Sequence, residues 1–287
     1  NEPMNMHSAM SARRVSSALL LAFALCQPVA ADDARPGLPG LVSHGLIGVA
    51  SIPGGTRDKF GETTIAASSI AVDRASWQRE GNVVRGTIYV LPDRGWNVEG
   101  TIDYRARFHK VSLAIAPGDV TATLVDTVML TDADGKQTTG LDPERVRAPG
   151  NGLPEMPEAV NGLVSIDAEA IVLNPDGTFF ISEEYGPYIY RFSAQGKMLG
   201  AIRPPDAFIP KRKGVSNFSS NNPGPGASKP VPPDPEFGRQ NNQGFEGMSL
   251  APDGKTLAVI LQSATRQDGG TAPETRDHTR ILFYDVS

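Results

Sequence analysis

"EAIVLNPDGTFFISEEYGPYIYRF", Glu169–Phe192, decides the fold. An acid opens a short apolar run, Pro175-Asp176-Gly177 turns the chain, and a second apolar run returns. Pro presets the φ of a turn, Asp bonds its own backbone, and Gly takes the positive φ that closes it. "YIYRFSAQGKMLGAIRPP" then adds another strand, turn and strand. Four short strands in sequence are the unit of a β-propeller blade. The pattern recurs at Glu246 as "EGMSLAPDGKTLAVILQS", a polar loop over 264–279, and "TRILFYDVS". Asp176 and Asp253 are read as turn residues.

A more divergent copy fits 68–115. "SSIAVD" takes the place of "EAIVLN", and "TIYVLPDRGWN" that of "TFFISEEYGPY". Within "TIDYRARFHKVSLAI" (101–115) the apolar alternation changes phase after Phe108, which marks a bulge or a turn. Residues 138–162 read as a loop. So does 206–241, where "NNPGPGASKPVPPDP" bars regular structure. The fold class expected is all-β and β-propeller-like, with about three blades. Propellers use roughly four to eight, so the chain reads as a C-terminally incomplete fragment of a larger propeller. An ordinary β-sandwich of repeated hairpins is the alternative.

The 287 residues are 39% hydrophobic, enough for a sizeable core, and carry a net charge of −5. The one short basic run is "KRK" at 211–213, so no nucleic-acid partner is expected. "MSARRVSSALLLAFALCQPVAADD", from Met10, pairs two arginines with an apolar core of about a dozen residues and small residues ahead of Asp32. This is the pattern of a secretory signal peptide cleaved near Ala31, with an upstream extension over 1–9. It predicts a secreted mature domain over 32–287 with no stable membrane anchor. The only cysteine, Cys26, lies inside that leader. The mature chain then has no disulfide, thiolate metal site or cysteine nucleophile.

"DKFGETT" (58–64), "LPDRGWNVEGTIDYRARFHKVSL" (91–113), Glu169–Phe192 and "NNQGFEGMSLAPDGKTLAVILQS" (241–263) together resemble the phytase-like domain family, described as having esterase-like activity of phytase. The order and spacing match over roughly 45–287, and the wording is most similar to secreted fungal members. The resemblance implies a β-propeller-like fold and a phosphoester-hydrolase role.

The residues themselves exclude several hydrolase types. There is no Gly-x-Ser-x-Gly elbow, no Arg-His-Gly run, no His-Glu-x-x-His and no P-loop. Carboxylate chemistry remains. Glu169, Glu183 and Glu246 are the candidate metal ligands, with Ca²⁺ as the expected cofactor, since that cation takes about six to eight oxygens. Asp93, Arg94, Glu184 and Tyr185 are the candidate catalytic residues, with Arg94 suited to grip a phosphate oxygen bidentately. Glu169 and Glu246 have a second reading, as buried acids bonding backbone N–H groups between blades. The partner expected is a small phosphorylated or ester substrate; oligomeric state is open. A non-catalytic binding scaffold and a lactonase-like propeller hydrolase stand as alternatives.

Overall fold

The computed structural model describes residues 42–64, 67–99, 102–221 and 232–287. The expected leader and the Pro/Gly tract at 222–231 lie outside them. The chain divides into a unit ending at Leu46 and a second unit, Ile47–Ser287, which holds every strand described below.

Three antiparallel sheets carry the structure, and each is built in chain order. The first holds β1 (Ala67–Glu80), β2 (Val83–Pro92), β3 (Arg107–Ala116) and β4 (Asp119–Met129) in the order β1-β2-β3-β4. Between it and the second sheet lie β5 (Arg145–Arg147) and β6 (Met156–Glu158), a two-stranded pair. The second sheet holds β7 (Ala168–Leu173), β8 (Phe179–Glu183), β9 (Ile189–Phe192) and β10 (Met198–Ile202), again consecutive. A second small pair follows, β11 (Lys211–Arg212) with β12 (Val215–Ser216). The third sheet is β13 (Phe245–Leu250), β14 (Thr256–Leu261) and β15 (Ile281–Asp285). Among the described residues only short 3-10 turns are helical, and no sheet closes into a barrel.

Both Pro-Asp-Gly turns act as hairpin devices. Asp176 Oδ1 accepts from the Thr178 amide at 2.9 Å, and Asp253 Oδ1 from the Lys255 amide at 2.8 Å. Gly177 and Gly254 take φ of 81° and 70°, where a Cβ is disfavoured.

The second sheet is buried on both faces because β8 and β9 are apolar at alternate and intervening positions. Phe179, Ile181, Tyr190 and Phe192 join Leu91, Phe108 and Ile171 in one core. Phe180 and Ile189 point the other way, into a core with Phe245, Leu257, Val259 and Leu261. Phe179 lies 4.7 Å from Phe108 and 4.8 Å from Tyr89, ring centre to ring centre, which ties the first sheet to the second.

Three departures from the sequence reading have physical causes. The 138–162 loop contains β5 and β6, three residues each, too short to show any alternation. The 206–241 loop contains β11 and β12, shorter still. The strand expected from Thr101 begins at Arg107, and the phase change within it is a bulge between Lys110 and Val111. Arg107 enters the strand as a fully buried charge, paired with Asp58 of the "DKFGETT" stretch at 2.7 Å. Asp58 Oδ1 also accepts the Phe60 and Glu62 amides, so this stretch serves as a buried brace for β3.

Phe179→Ala opens a cavity at the contact of two sheets. It is expected to cost about 3–5 kcal/mol, read as a lowered urea midpoint at unchanged slope.

Candidate functional site

The sheets meet at the first strand of each, and there the backbone does something unusual three times. The β1–β2 register shifts between Ala67 and Ser69, the β7–β8 register between Ala168 and Ala170, and the β13–β14 register between Phe245 and Met248. The residues in these bulges are Ser68, Glu169 and the pair Glu246-Gly247. A bulge re-aims a side chain out of the strand's normal alternation. Glu169 and Glu246 therefore share an equivalent place in successive sheets. Ile171 N donates to Ser69 Oγ at 3.2 Å, and Ser182 Oγ to the Glu246 carbonyl at 2.7 Å, so the bulged strands lie side by side.

Arg94 is the centre of what gathers there. It follows β2 and is 6% exposed. Its Nη1 donates to Asp167 Oδ1 at 2.9 Å and to Asp93 Oδ1 at 3.3 Å, and its Nε donates to the Tyr185 hydroxyl at 2.9 Å. Nη2 donates to Asn242 Oδ1. Four of five guanidinium N–H groups are thus committed, which corrects the expectation of a bidentate grip on phosphate. Arg94 is held by the protein on every side but one.

Asp167 is completely buried just before β7. Its Oδ2 receives no N–H or hydroxyl donor among the described residues. The Glu184 side chain lies within hydrogen-bonding reach of the Asp167 carboxyl. Two carboxyl groups bond each other only through a shared proton. Glu184 is also buried, and its Oε1 accepts the Gly244 amide at 3.1 Å. A Cβ on Gly244 would stand 2.1 Å from the Glu184 carbonyl oxygen, so this close approach requires glycine. Asp93, with a side chain 40% exposed, and the half-buried Glu169 and Glu246 form the outer side.

Five acids thus gather here: Arg94 acts on Asp93, Asp167, Glu169 and Glu184, Glu246 lies against Glu184 and Asp93, and the buried Arg239 also acts on Glu184. Burial pushes the Glu169 carboxyl up to about 9, with Glu184, Glu246 and Asp93 adding repulsion. Burial pushes Glu246 up to about 7, again with Glu184 and Asp93 contributing. Burial also raises Asp167 against the pull of Arg94, and raises Glu184. For Arg94 burial acts downward, but Tyr185, Asp167, Asp93 and Glu184 outweigh it and hold it above its ordinary value. One oxygen each of Asp93, Asp167 and Glu169 lies within 4.8 Å of the others. Together with the donor-poor Oδ2 of Asp167, these three oxygens fit a hard cation that would take the place of protons.

Two expected residues have other work. Glu183 spends both oxygens on the hairpin after β8, accepting the Tyr185, Gly186 and Tyr188 amides at 2.9, 2.6 and 3.1 Å. This corrects its reading as a metal ligand. Glu183 ends β8 and Glu184 stands in the bend that follows, where it turns to the cluster. Tyr185 is fully buried, accepts from Arg94 and donates to the Gly140 carbonyl at 2.7 Å. It supports Arg94 from beneath and is sealed from solvent. Asp93, Arg94, Glu184, Glu169 and Glu246 do come together.

The sequence reading missed Asp167 and Asn242. Asp167 was detectable only as the acid two residues before Glu169 in "DAE". Asn242 had no local signal. Arg239 was missed as well. It is fully buried and donates to the Tyr185 carbonyl from Nε at 3.0 Å and from Nη2 at 2.7 Å, and to the Phe218 carbonyl at 2.6 Å.

Residues 68–287 match the family described as phytase-like, esterase-like activity of phytase. The chain belongs to the phytase-like family. A relative from Arthroderma benhamiae, described as an uncharacterized secreted protein, is 41% identical over 280 residues. The match covers 85% of this chain and 53% of the relative, so the phytase-like chain spans about half that protein's length. A solved structure of a candidate 6-phosphogluconolactonase from Bacteroides uniformis is 15% identical, with a TM-score of 0.29, over 79% of this chain and 55% of that one. That likeness is too slight to assign shape or reaction. Among the described residues of the phytase-like chain, no helix is long and apolar enough to cross a membrane.

Glu183→Ala strands three buried amides at roughly 1–3 kcal/mol each. It is expected to lower Tm strongly while leaving the cation affinity of the surviving folded protein within a factor of two, checked by calorimetry. The raised carboxyls set a pH trend. The folded state holds protons on Glu169 and Glu246 that the unfolded chain releases near its ordinary 4.5. Stability contributed by these groups is complete below that pH and lost as pH rises toward about 9. Without divalent cation Tm is expected to fall across this window, with about 2–4 °C per kcal/mol; millimolar Ca²⁺ flattens the fall. A Tm indifferent to both would show that the acids are already neutralised.

Proposed function

We propose that this chain forms part of a secreted ester hydrolase that works with a divalent cation, Ca²⁺ foremost, on a small phosphorylated or other ester. The observation that carries the reading is the gathering of Asp93, Asp167, Glu169, Glu184 and Glu246 in one cluster with Arg94, four of whose five N–H groups are already committed. Family membership supports hydrolysis, because the family is described by an esterase-like activity. Secretion is supported by the relative's description and by the leader pattern over 1–31.

Asp93, Asp167 and Glu169 would hold the cation, with Glu246 beside them. A hard divalent cation supplies Lewis-acid polarisation of an ester oxygen and a more acidic bound water. Arg94 keeps Asp167 and Asp93 in place. Glu246, whose carboxyl is pushed up to about 7, is suited to take and return a proton near neutrality. In the same reading the three sheets are propeller blades with β1, β7 and β13 innermost.

Calorimetry with Ca²⁺ on wild type and Asp167→Asn tests the site. Asp167→Asn is expected to weaken cation binding more than about tenfold, since it removes a buried charge from the ligand set. Wild-type release of product from an ester panel should stop with EDTA and resume with Ca²⁺. A wild-type chain that binds no divalent cation sinks the metal role. A cation-loaded chain silent on the whole panel sinks the hydrolase.

A further inference from the structure

We propose that Asn242 is a further catalytic residue, whose side-chain amide, together with the last free N–H of Arg94, donates to the ester oxygen that gains charge during hydrolysis. The inference rests on the hydrolase reading above and goes beyond its acids.

The reasoning starts from a shortage. Attack on an ester joins a water oxygen to the acyl carbon or phosphorus while a site carboxylate takes the water's proton. The displaced electron pair moves onto the carbonyl or phosphoryl oxygen, then returns as the ester bond breaks, and the leaving alkoxide takes a proton from a site carboxyl. The oxygen that carries the transient charge needs hydrogen-bond donors. The site around Arg94 is rich in acceptors and poor in donors. Tyr185 spends its hydroxyl proton on the Gly140 carbonyl. The Gly244 amide is spent on Glu184. Arg94 has four of its five N–H groups committed.

What is left lies at one contact. The N–H of Arg94 Nη2 can meet only an acceptor, so the Asn242 amide must turn its Oδ1 inward. Its Nδ2, on the same planar amide, then lies alongside Oδ1 and donates to no acceptor among the described residues. The second Nη2 hydrogen of Arg94 flanks the same contact. Arg94 is almost fully buried and Asn242 is half-buried, so this donor pair sits where the buried floor meets the open side.

The surrounding structure holds Asn242 there. Its φ is 49°, a left-handed conformation that Asn tolerates better than most residues. The preceding Asn241 accepts from Arg212 Nη2 at 2.8 Å and donates to Asp234 at 2.6 Å. On the other side, Gly244 is clamped against Glu184. Two adjacent asparagines thus read two arginines, one in the frame of the 206–241 segment and one in the site.

Two substitutions separate donation from support. Asn242→Asp keeps the acceptor for Arg94 and removes the donor. Asn242→Gly keeps the left-handed backbone and removes the side chain. On the full chain loaded with Ca²⁺, both are expected to lower kcat by about 10-fold to 100-fold with KM changed less than threefold, in the range of a lost oxyanion donor. Orthovanadate affinity, measured by calorimetry, is expected to fall in parallel, with Tm within a few degrees of wild type. If Asn242→Asp keeps kcat and vanadate affinity within threefold of wild type while Asn242→Gly loses them, Asn242 only supports Arg94 and the proposal is overturned. Wild-type activity in both variants overturns it as well. A wild-type chain that hydrolyses no ester overturns the parent reading, a failure visible before any variant is made.

Discussion

The Arg94–Asp167 ion pair, 2.9 Å long and closed to solvent, is the constraint on which the site depends. A buried pair rarely adds much net stability, because desolvating two ions offsets their attraction. Removing one partner is costly, since the other charge is left unpaired in a medium that cannot solvate it. Arg94 is therefore fixed by its surroundings and in turn fixes them. Through it Asp93, Asp167, Tyr185 and Asn242 share one set of positions, although they come from four separate stretches of chain. The charge does not balance: two buried guanidiniums, Arg94 and Arg239, stand against a larger group of carboxyls. That imbalance is the functional content of the site, because it leaves acids that must hold either protons or a cation.

Repetition in the fold delivers those acids. Each of the three sheets opens on a strand that is bulged near its start, and two of the bulges carry glutamate. In the first sheet Ser68 stands at the corresponding place, so the same backbone device serves an acid twice and a hydroxyl once. A regular strand would alternate its side chains strictly and bury or expose the glutamates with their neighbours. The bulge frees each from that alternation. The rigidity needed to hold a strained acidic cluster comes from behind it, where the second sheet is packed on both faces and Glu183 ties its hairpin with three amides.

The strands and turns were legible because they rest on local chemistry. Pro-Asp-Gly needs no distant partner to turn the chain, and apolar runs such as "IVL" and "TLAVIL" sit in sheets whichever sheet they join. Glu169 and Glu246 were legible as a pair because the repeat superposes them. Glu183 was misread because the chain places two glutamates in succession, and only the folded hairpin after β8 tells which one its amides take up. Arg107 and Arg239 gave no sign of being buried, since their partners, Asp58 and the carbonyls of Phe218 and Tyr185, lie far away in sequence.

By itself, then, the sequence determined an all-β chain of repeated hairpins, its family, and an acid at the head of two repeats. These follow from side-chain period, turn residues and local order, which act over a few residues. The tertiary structure alone decided that Asp167 is the buried centre, that the hydrogen-bonding capacity of Arg94 is nearly spent, and that Asn242 completes the ring. Charge, burial and hydrogen-bond satisfaction are properties of neighbours in space. Here those neighbours come from stretches around residues 94, 167, 184 and 242, brought together only when the sheets pack.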